Sequence, residues 1–183
     1  GAMSYVSIDT ESFYCLVCAR RHLLALACVF NSKRRYLWYV ARQNCVIDGT
    51  SQKIHGIANC HFGFDVSNVL QSFYLLLTRN CVTQLVAHDV CSDLSLLLQE
   101  CGICGHTGLL SKLCQMDHVC TKLETFKKSH RPGSVVKWPS LHDAYCVAAG
   151  SMPYYAHDPV TDAEVCAFVF EYLTHIDKKK HGI

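Results

Sequence analysis

Asp9 and Glu11 stand one residue apart at the end of the apolar run Tyr5-Val6-Ser7-Ile8. In a strand, residues i and i+2 share a face, so these two carboxylates project side by side. About 4 Å apart, they repel by roughly 1 kcal/mol in water and about 4 kcal/mol near a protein surface. A bound cation, a shared proton or splaying into solvent must offset that repulsion. Further along, Asp93 follows Leu85-Val86-Ala87-His88-Asp89 and opens a helical pattern, where the helix dipole favours an acid. His157-Asp158-Pro159-Val160-Thr161-Asp162 precedes the last helical pattern. Asp158 suits an N-cap and Pro159 the first helical position. Neither role accounts for His157. Asp162, beside Ala163 and Cys166, faces inward from the first turn, and a buried acid needs a partner.

Thiols form a second chemical group. The chain has 13 cysteines, an odd number, and several lie inside apolar runs, as Cys28, Cys81 and Cys166 do. No secretion signal is visible, so reduced thiols in an intracellular, reducing compartment are expected. Two Cys-x-x-Cys pairs stand out. One is Cys15/Cys18. The other is Cys101/Cys104, followed by His106, Cys114, His118 and Cys120. Thiolates and imidazoles are zinc ligands, and the second cluster is a candidate structural zinc site, although its spacing matches no common zinc finger.

The elements that must position these groups read as strands first, then strands alternating with helices. Tyr5–Asp9, Leu23–Phe30 and Tyr36–Val40 are predicted strands, the last two separated by the turn signal Asn31-Ser32-Lys33. Asp65 caps a predicted helix in which Val66, Val69, Leu70, Phe73, Leu76 and Leu77 recur at helical spacing. Thr83–Ala87 is a predicted buried strand and Asp93–Glu100 a helix, broken by Gly102, Gly105 and Gly108. Gln115–Val119 is a further strand, and Ser140–Ala149 and Val160–His175 are further helices. This order predicts a mixed α/β sheet, antiparallel over its first three strands and parallel after them, flanked by helices.

At 183 residues with half of them hydrophobic, the chain suits one domain, taken as residues 4–177. Gly1-Ala2 reads as an expression scar and residues 178–183 as a basic tail. Lys plus Arg exceed Asp plus Glu by 17 − 15 = 2, so no strong overall field draws the protein to nucleic acid or membrane. Local basic patches exist at Lys33-Arg34-Arg35, at Lys127-Lys128 with His130 and Arg131, and at Lys178-Lys179-Lys180. The longest apolar run, Leu23 to Phe30, is too short to span a membrane.

Asp9-Thr10-Glu11, then Leu85-Val86-Ala87-His88-Asp89 leading to Asp93, then His157-x4-Asp162, in this order and at similar spacing, resemble the DEDDh family of 3′-5′ exonucleases, the proofreading-type branch of the ribonuclease H-like fold. Three smaller stretches agree: Lys53-Ile54-His55-Gly56-Ile57, Trp138-Pro139-Ser140-Leu141, and His157 through Ala163. The resemblance covers about residues 4 to 175. It implies that Asp9, Glu11, Asp93 and Asp162 gather at one end of the sheet and hold two divalent ions, Mg²⁺ or Mn²⁺, for which hard oxygen ligands are suited. It implies that Asp9 bridges the ions, that Glu11 and Asp162 bind the first, and that Asp93 orders water on the second. His157 would be the general base, a task for a side chain that titrates near neutrality. Thr10, Ser12 and Phe13 would position the terminal nucleotide, with Phe13 stacking against its base. His55 would border the site, and His88 would be structural. The implied substrate is DNA or RNA with a free 3′ end.

Two departures bear on substrate. Asp89 stands where the family usually has Asn, so an extra carboxylate can repel a phosphate or alter a base contact. Ser92 stands where an aromatic usually precedes the acid. Two other readings remain on sequence grounds: an exonuclease fold that binds nucleic acid without cleaving it, and a zinc interaction module built on the Cys/His cluster. Oligomeric state and the choice between DNA and RNA leave no mark in the sequence.

Overall fold

The protein is described from a computed structural model that covers residues 4–31, 33–57, 60–135, 137–150 and 157–180. Gly1-Ala2, Ser32 of the expected turn and residues 181–183 of the basic tail lie outside the described residues. Among the described residues, five strands form one sheet: β1 (Tyr5–Cys15), β2 (Arg20–Phe30), β3 (Arg35–Tyr39), β4 (Gln84–Ala87) and β5 (Asp117–Cys120), in the order β3-β2-β1-β4-β5. β1, β2 and β3 pair antiparallel, whereas β1 with β4 and β4 with β5 pair parallel. The helices are α1 (Gly49–His55), α2 (Val66–Arg79), α3 (Val90–Cys104), α4 (Thr107–Gln115), α5 (Thr121–Ser129), α6 (Leu141–Ala149) and α7 (Pro159–Lys180). The mixed, helix-flanked sheet is the architecture the order of elements predicts.

Alternation along β1 assigns its two faces. Val6 and Ile8 enter the main core with Leu70 and Phe73 of α2, Leu97 of α3 and Leu109 of α4. Tyr5 packs on the other face against Cys166 and Ala167 of α7. Ser7, also fully buried there, donates its hydroxyl to the Ala163 carbonyl at 2.8 Å. β2 is buried continuously from His22 to Phe30, as a strand covered on both faces must be. Asp65 caps α2 as expected, accepting from the Ser67 N–H at 2.9 Å. Ser140 and Asp143 form a reciprocal capping box at the start of α6.

Several boundaries differ from the sequence reading. β1 does not stop at Asp9, because its pairing with β2 continues to Cys15↔Arg20 across a tight turn. Asp9 and Glu11 therefore lie inside the strand, not at its end. A register irregularity between Glu11 and Ser12 follows the second acid. α3 runs through Gly102, and Gly108 lies inside α4. Only Gly105 interrupts, as a left-handed C-cap with φ 67°, a conformation that suits glycine. The sequence pattern predicts none of α1, α4 and α5. α1 is seven residues long, held by Asp48 at its start and Gly56 at its end. α5 has a polar composition that leaves only Thr121 and Thr125 fully buried.

Candidate active site

β1 extends beyond β4. Its parallel pairing with β4 ends at Ser7↔Val86, and the chain leaves the sheet after Ala87. The β4-facing edge of β1 is therefore open from Asp9 onward. Into this opening comes the first turn of α3. Thr10 presents its N–H and its hydroxyl to Asp93 Oδ1, at 3.1 Å and 2.6 Å. On the opposite face of β1 lies the start of α7. Asp158 caps that helix, accepting from the Thr161 N–H at 2.9 Å and its hydroxyl at 2.6 Å. Asp162, one turn in, accepts the His157 N–H at 3.0 Å. Two strand residues and two first-turn helix residues thus bring Asp9, Glu11, Asp93 and Asp162 together.

Their environment is enclosed. Glu11, Asp93 and Asp162 are 8%, 8% and 7% exposed. Asp9 Oδ2 and Asp162 Oδ1 are buried without a hydrogen-bond partner. Burial pushes every one of these carboxyls up. Asp9 stands well above its ordinary value, through burial first and then the charges of Asp93, Glu11 and Asp162. Glu11 rises to about 7, through burial and then Asp162 and Asp93. Asp93 rises to about 6, with burial dominant and the Thr10 hydrogen bonds opposing it. Asp162 is raised by burial against the opposing pull of His157. Four converging acids with orphaned buried oxygens are a poor arrangement for a bare protein and a suitable one for a hard divalent cation.

His157 joins this group. Its ring nitrogen and the carboxylate oxygens of Glu11 and Asp162 lie within 4.8 Å of one another. The residue is exposed and takes a left-handed backbone, φ 66°, a conformation uncommon outside glycine. His55 ends α1 and accepts the Ile57 N–H at 3.0 Å on Nδ1, leaving Nε2 buried without a partner. Burial lowers its pKa; the Ser12 backbone and His157 are near enough to act on it as well. His55 therefore stands beside the acids' strand.

The remaining expected contacts divide. Ser12 is half-buried and accepts from Arg21 at 2.9 Å. Thr10 has its hydroxyl committed to Asp93. Phe13 is fully buried among Cys15, Leu24, Cys45, Ile47 and Cys60 and near the His22 ring, so the expected stacking of Phe13 on a base is corrected: the strand pleat turns it into the interior. Asp89 is paired with Lys122 at 2.6 Å, which holds its carboxyl below the ordinary range. Its charge is thus met within the protein. His88 lies between Thr121 Oγ1 and the Pro139 carbonyl, each at 3.0 Å, a structural placement.

The zinc expectation for Cys101, Cys104, His106, Cys114, His118 and Cys120 is also corrected. No three of them bring donor atoms within 4.8 Å of one another. α3, α4 and β5 carry them in different directions. His106 caps α4 and meets Gln71, His118 meets the Leu113 carbonyl, and Cys120 donates to the His88 carbonyl. Cys101 is buried in the main core, its thiol pushed up to about 12.

A cleft of about 590 Å³ opens elsewhere, lined by residues that include Cys91, Lys122, Trp138 and Phe170. None of the four acids lines it. Among the described residues no helix is long and apolar enough to cross a membrane.

No protein-family model matches this chain, and no curated protein matches it. Among solved structures, the chain is similar to the Neurospora crassa Pan2 catalytic unit, comprising protease and nuclease domain. The TM-score is 0.65 and the identity 13%, over 98% of this chain and 28% of that one. The chain thus spans little more than a quarter of its neighbour's length. At this identity the likeness concerns the fold alone, the mixed, helix-flanked sheet of ribonuclease H-like type.

Proposed function

We propose that the chain is a metal-dependent 3′-5′ exonuclease of DEDDh type, acting on DNA or RNA with a free 3′ end, with residues 4–177 as its single catalytic domain. One observation carries the reading: four enclosed carboxylates from β1, α3 and α7 converge, two of them with orphaned oxygens, and His157 sits at their edge. Asp9, Glu11, Asp93 and Asp162 would hold two Mg²⁺ or Mn²⁺ ions. Such ions, when bound, stabilise charge on the attacking and leaving oxygens of a phosphodiester.

The chain's own residues supply the rest. His157 takes the proton of the attacking water; its left-handed backbone and the bond from its N–H to Asp162 hold the imidazole beside Glu11. Thr10 keeps Asp93 ionised and aimed. The open edge of β1 beyond Ser7 admits the 3′ end, with Ser12 and His55 at its rim. Asp89 is held by Lys122 and does not oppose the phosphate with a free charge. All 13 cysteines are thiols, in keeping with a reducing intracellular setting.

The test is cleavage of a 5′-labelled single strand, as DNA and as RNA, with Mg²⁺, Mn²⁺ or EDTA. Metal-dependent shortening from the 3′ end, abolished in Asp9→Ala, is the expected result. No cleavage in any combination by folded, metal-supplied protein would leave a nucleic-acid-binding protein on an exonuclease fold.

A further inference from the structure

The other Cys-x-x-Cys pair finds its partners at the far end of β1. Cys15 ends β1 and Cys18 lies in the turn to β2. His22 lies near the start of β2, and Cys45 comes from the connection between β3 and α1. One donor atom from each of the four lies within 4.8 Å of all the others. Zn–S bonds of about 2.3 Å and Zn–N bonds of about 2.0–2.1 Å place tetrahedral ligand atoms roughly 3.5–3.8 Å apart. Closing this cluster on an ion therefore needs a movement of no more than about 1 Å. From these observations we propose that Cys15, Cys18, His22 and Cys45 form a structural Zn²⁺ site, independent of the carboxylate site and of the nuclease reading.

The surroundings are built for it. The backbone N–H groups of Val17, Cys18 and Val46 are directed at the Cys15 sulfur, an arrangement that stabilises a thiolate. Cys15 is fully buried, Cys45 is 8% exposed and His22 9%. His22 Nε2 already meets Cys18 Sγ at 2.8 Å. Its other nitrogen, Nδ1, is buried without a hydrogen-bond partner and lies 3.9 Å from Glu100 Oε1. Glu100 is wholly buried, and its Oε2 is also unpartnered. The Glu100 carboxylate beside Nδ1 supplies the second member of a carboxylate–histidine–metal relay, the arrangement that commonly fixes the ring of a zinc ligand. Arg42, at 2.6 Å, holds Glu100 in place.

Three thiolates and one imidazole favour zinc over Mg²⁺ or Mn²⁺. Binding releases the thiol protons to solvent. Cys60, nearby, donates its thiol to the Cys45 carbonyl at 3.3 Å and stays outside the ligand set. The need is structural. The satellite core at this end consists of Phe13, Leu24, Ile47 and three cysteines, a small apolar mass to anchor a long connection. A zinc ion would tie the β1–β2 turn to the segment leading into α1. It would thereby fix the helix that carries His55 to the acids' strand.

The experiment measures metal content. Protein purified under reducing conditions is reconstituted with ZnCl₂, freed of loose metal and assayed for zinc, with far-UV circular dichroism on every variant. About one zinc per chain is expected. That zinc should remain in Asp9→Ala, Cys60→Ser and Cys101→Ser and be lost in Cys45→Ser. Since Cys45→Ser can fail to fold, wild-type protein is also titrated with Co²⁺. Thiolate-to-cobalt charge transfer with tetrahedral d–d bands is expected. Absence of zinc and of those bands in the folded wild type overturns the proposal. So does zinc that persists in folded Cys45→Ser, or that leaves in Asp9→Ala.

Discussion

Replacing Glu11 by Gln removes one charge from the enclosed carboxylates and keeps the side-chain volume. Burial, and then the charges of Asp162 and Asp93, raise the Glu11 carboxyl from its ordinary 4.5 to about 7. The folded state therefore holds this proton more tightly than the unfolded chain does. Its stabilisation is complete below about pH 4.5 and is lost as the pH rises through about 7. At roughly 1.4 kcal/mol per pH unit, ionising Glu11 costs the metal-free fold about 3 kcal/mol by pH 8. Relaxation around the cluster makes this an upper figure, although at 8% exposure solvent screens little of it. In EDTA at pH 8, Glu11→Gln should melt above the wild type by up to roughly 6–12 °C, at about 2–4 °C per kcal/mol for a chain of this size. At pH 4.5 the two proteins should melt together. Mn²⁺ at pH 8 should raise the wild-type Tm and leave the variant nearly unmoved, with cleavage lost. Thermal melts over pH 4.5–8, with EDTA or Mn²⁺, read all of this. A variant that melts below the wild type in EDTA at pH 8 would refute the charge-crowding account. A full Mn²⁺ shift in the variant would remove Glu11 as a ligand.

His157→Ala should lower the cleavage rate by roughly 10²–10⁴ while keeping the Mn²⁺-induced rise in Tm; an unaltered pH–rate profile would exclude His157 as the base. Thr10→Val deletes the hydroxyl that Asp93 accepts at 2.6 Å, a charge-assisted bond worth about 1.5–3 kcal/mol. Activity should fall at low Mn²⁺ and recover at high Mn²⁺, and a loss that metal cannot restore would count against Thr10 as a positioning residue. Phe13→Ala should cost about 3–5 kcal/mol of stability, while Phe13→Leu should leave the KM for an oligonucleotide unchanged. A raised KM in stable Phe13→Leu would bring base stacking back.

What was legible in the sequence is what local rules control. The apolar run Tyr5–Ile8, the continuous apolar run Leu23–Phe30 and the helical spacing after Asp65 are one-dimensional patterns, and each appears as an element. Asp48-Gly49 before Thr50-Ser51 carries a capping signal for α1, a helix of seven residues and so too short to show a periodic apolar face. Boundaries fared less well, because β1 is prolonged by its partner strand and α3 passes through Gly102 on the strength of its packing.

Among the chemistry-bearing residues, type and order along the chain singled out Asp9, Glu11, Asp93, His157 and Asp162. Their convergence is a tertiary fact. It depends on β4 ending one residue past its last pairing with β1 and on two helices starting at that opening. The same distinction governs the cysteines. The denser Cys/His cluster drew attention in the sequence, yet α3, α4 and β5 carry its members apart. Cys45 reaches Cys15 and Cys18 across some thirty residues of chain because β3 returns beside β2 and delivers its following loop to the end of β1. Spacing along a chain reports neighbours only within one turn or one strand. Beyond that, the distance between two side chains is set by the packing of the elements that carry them.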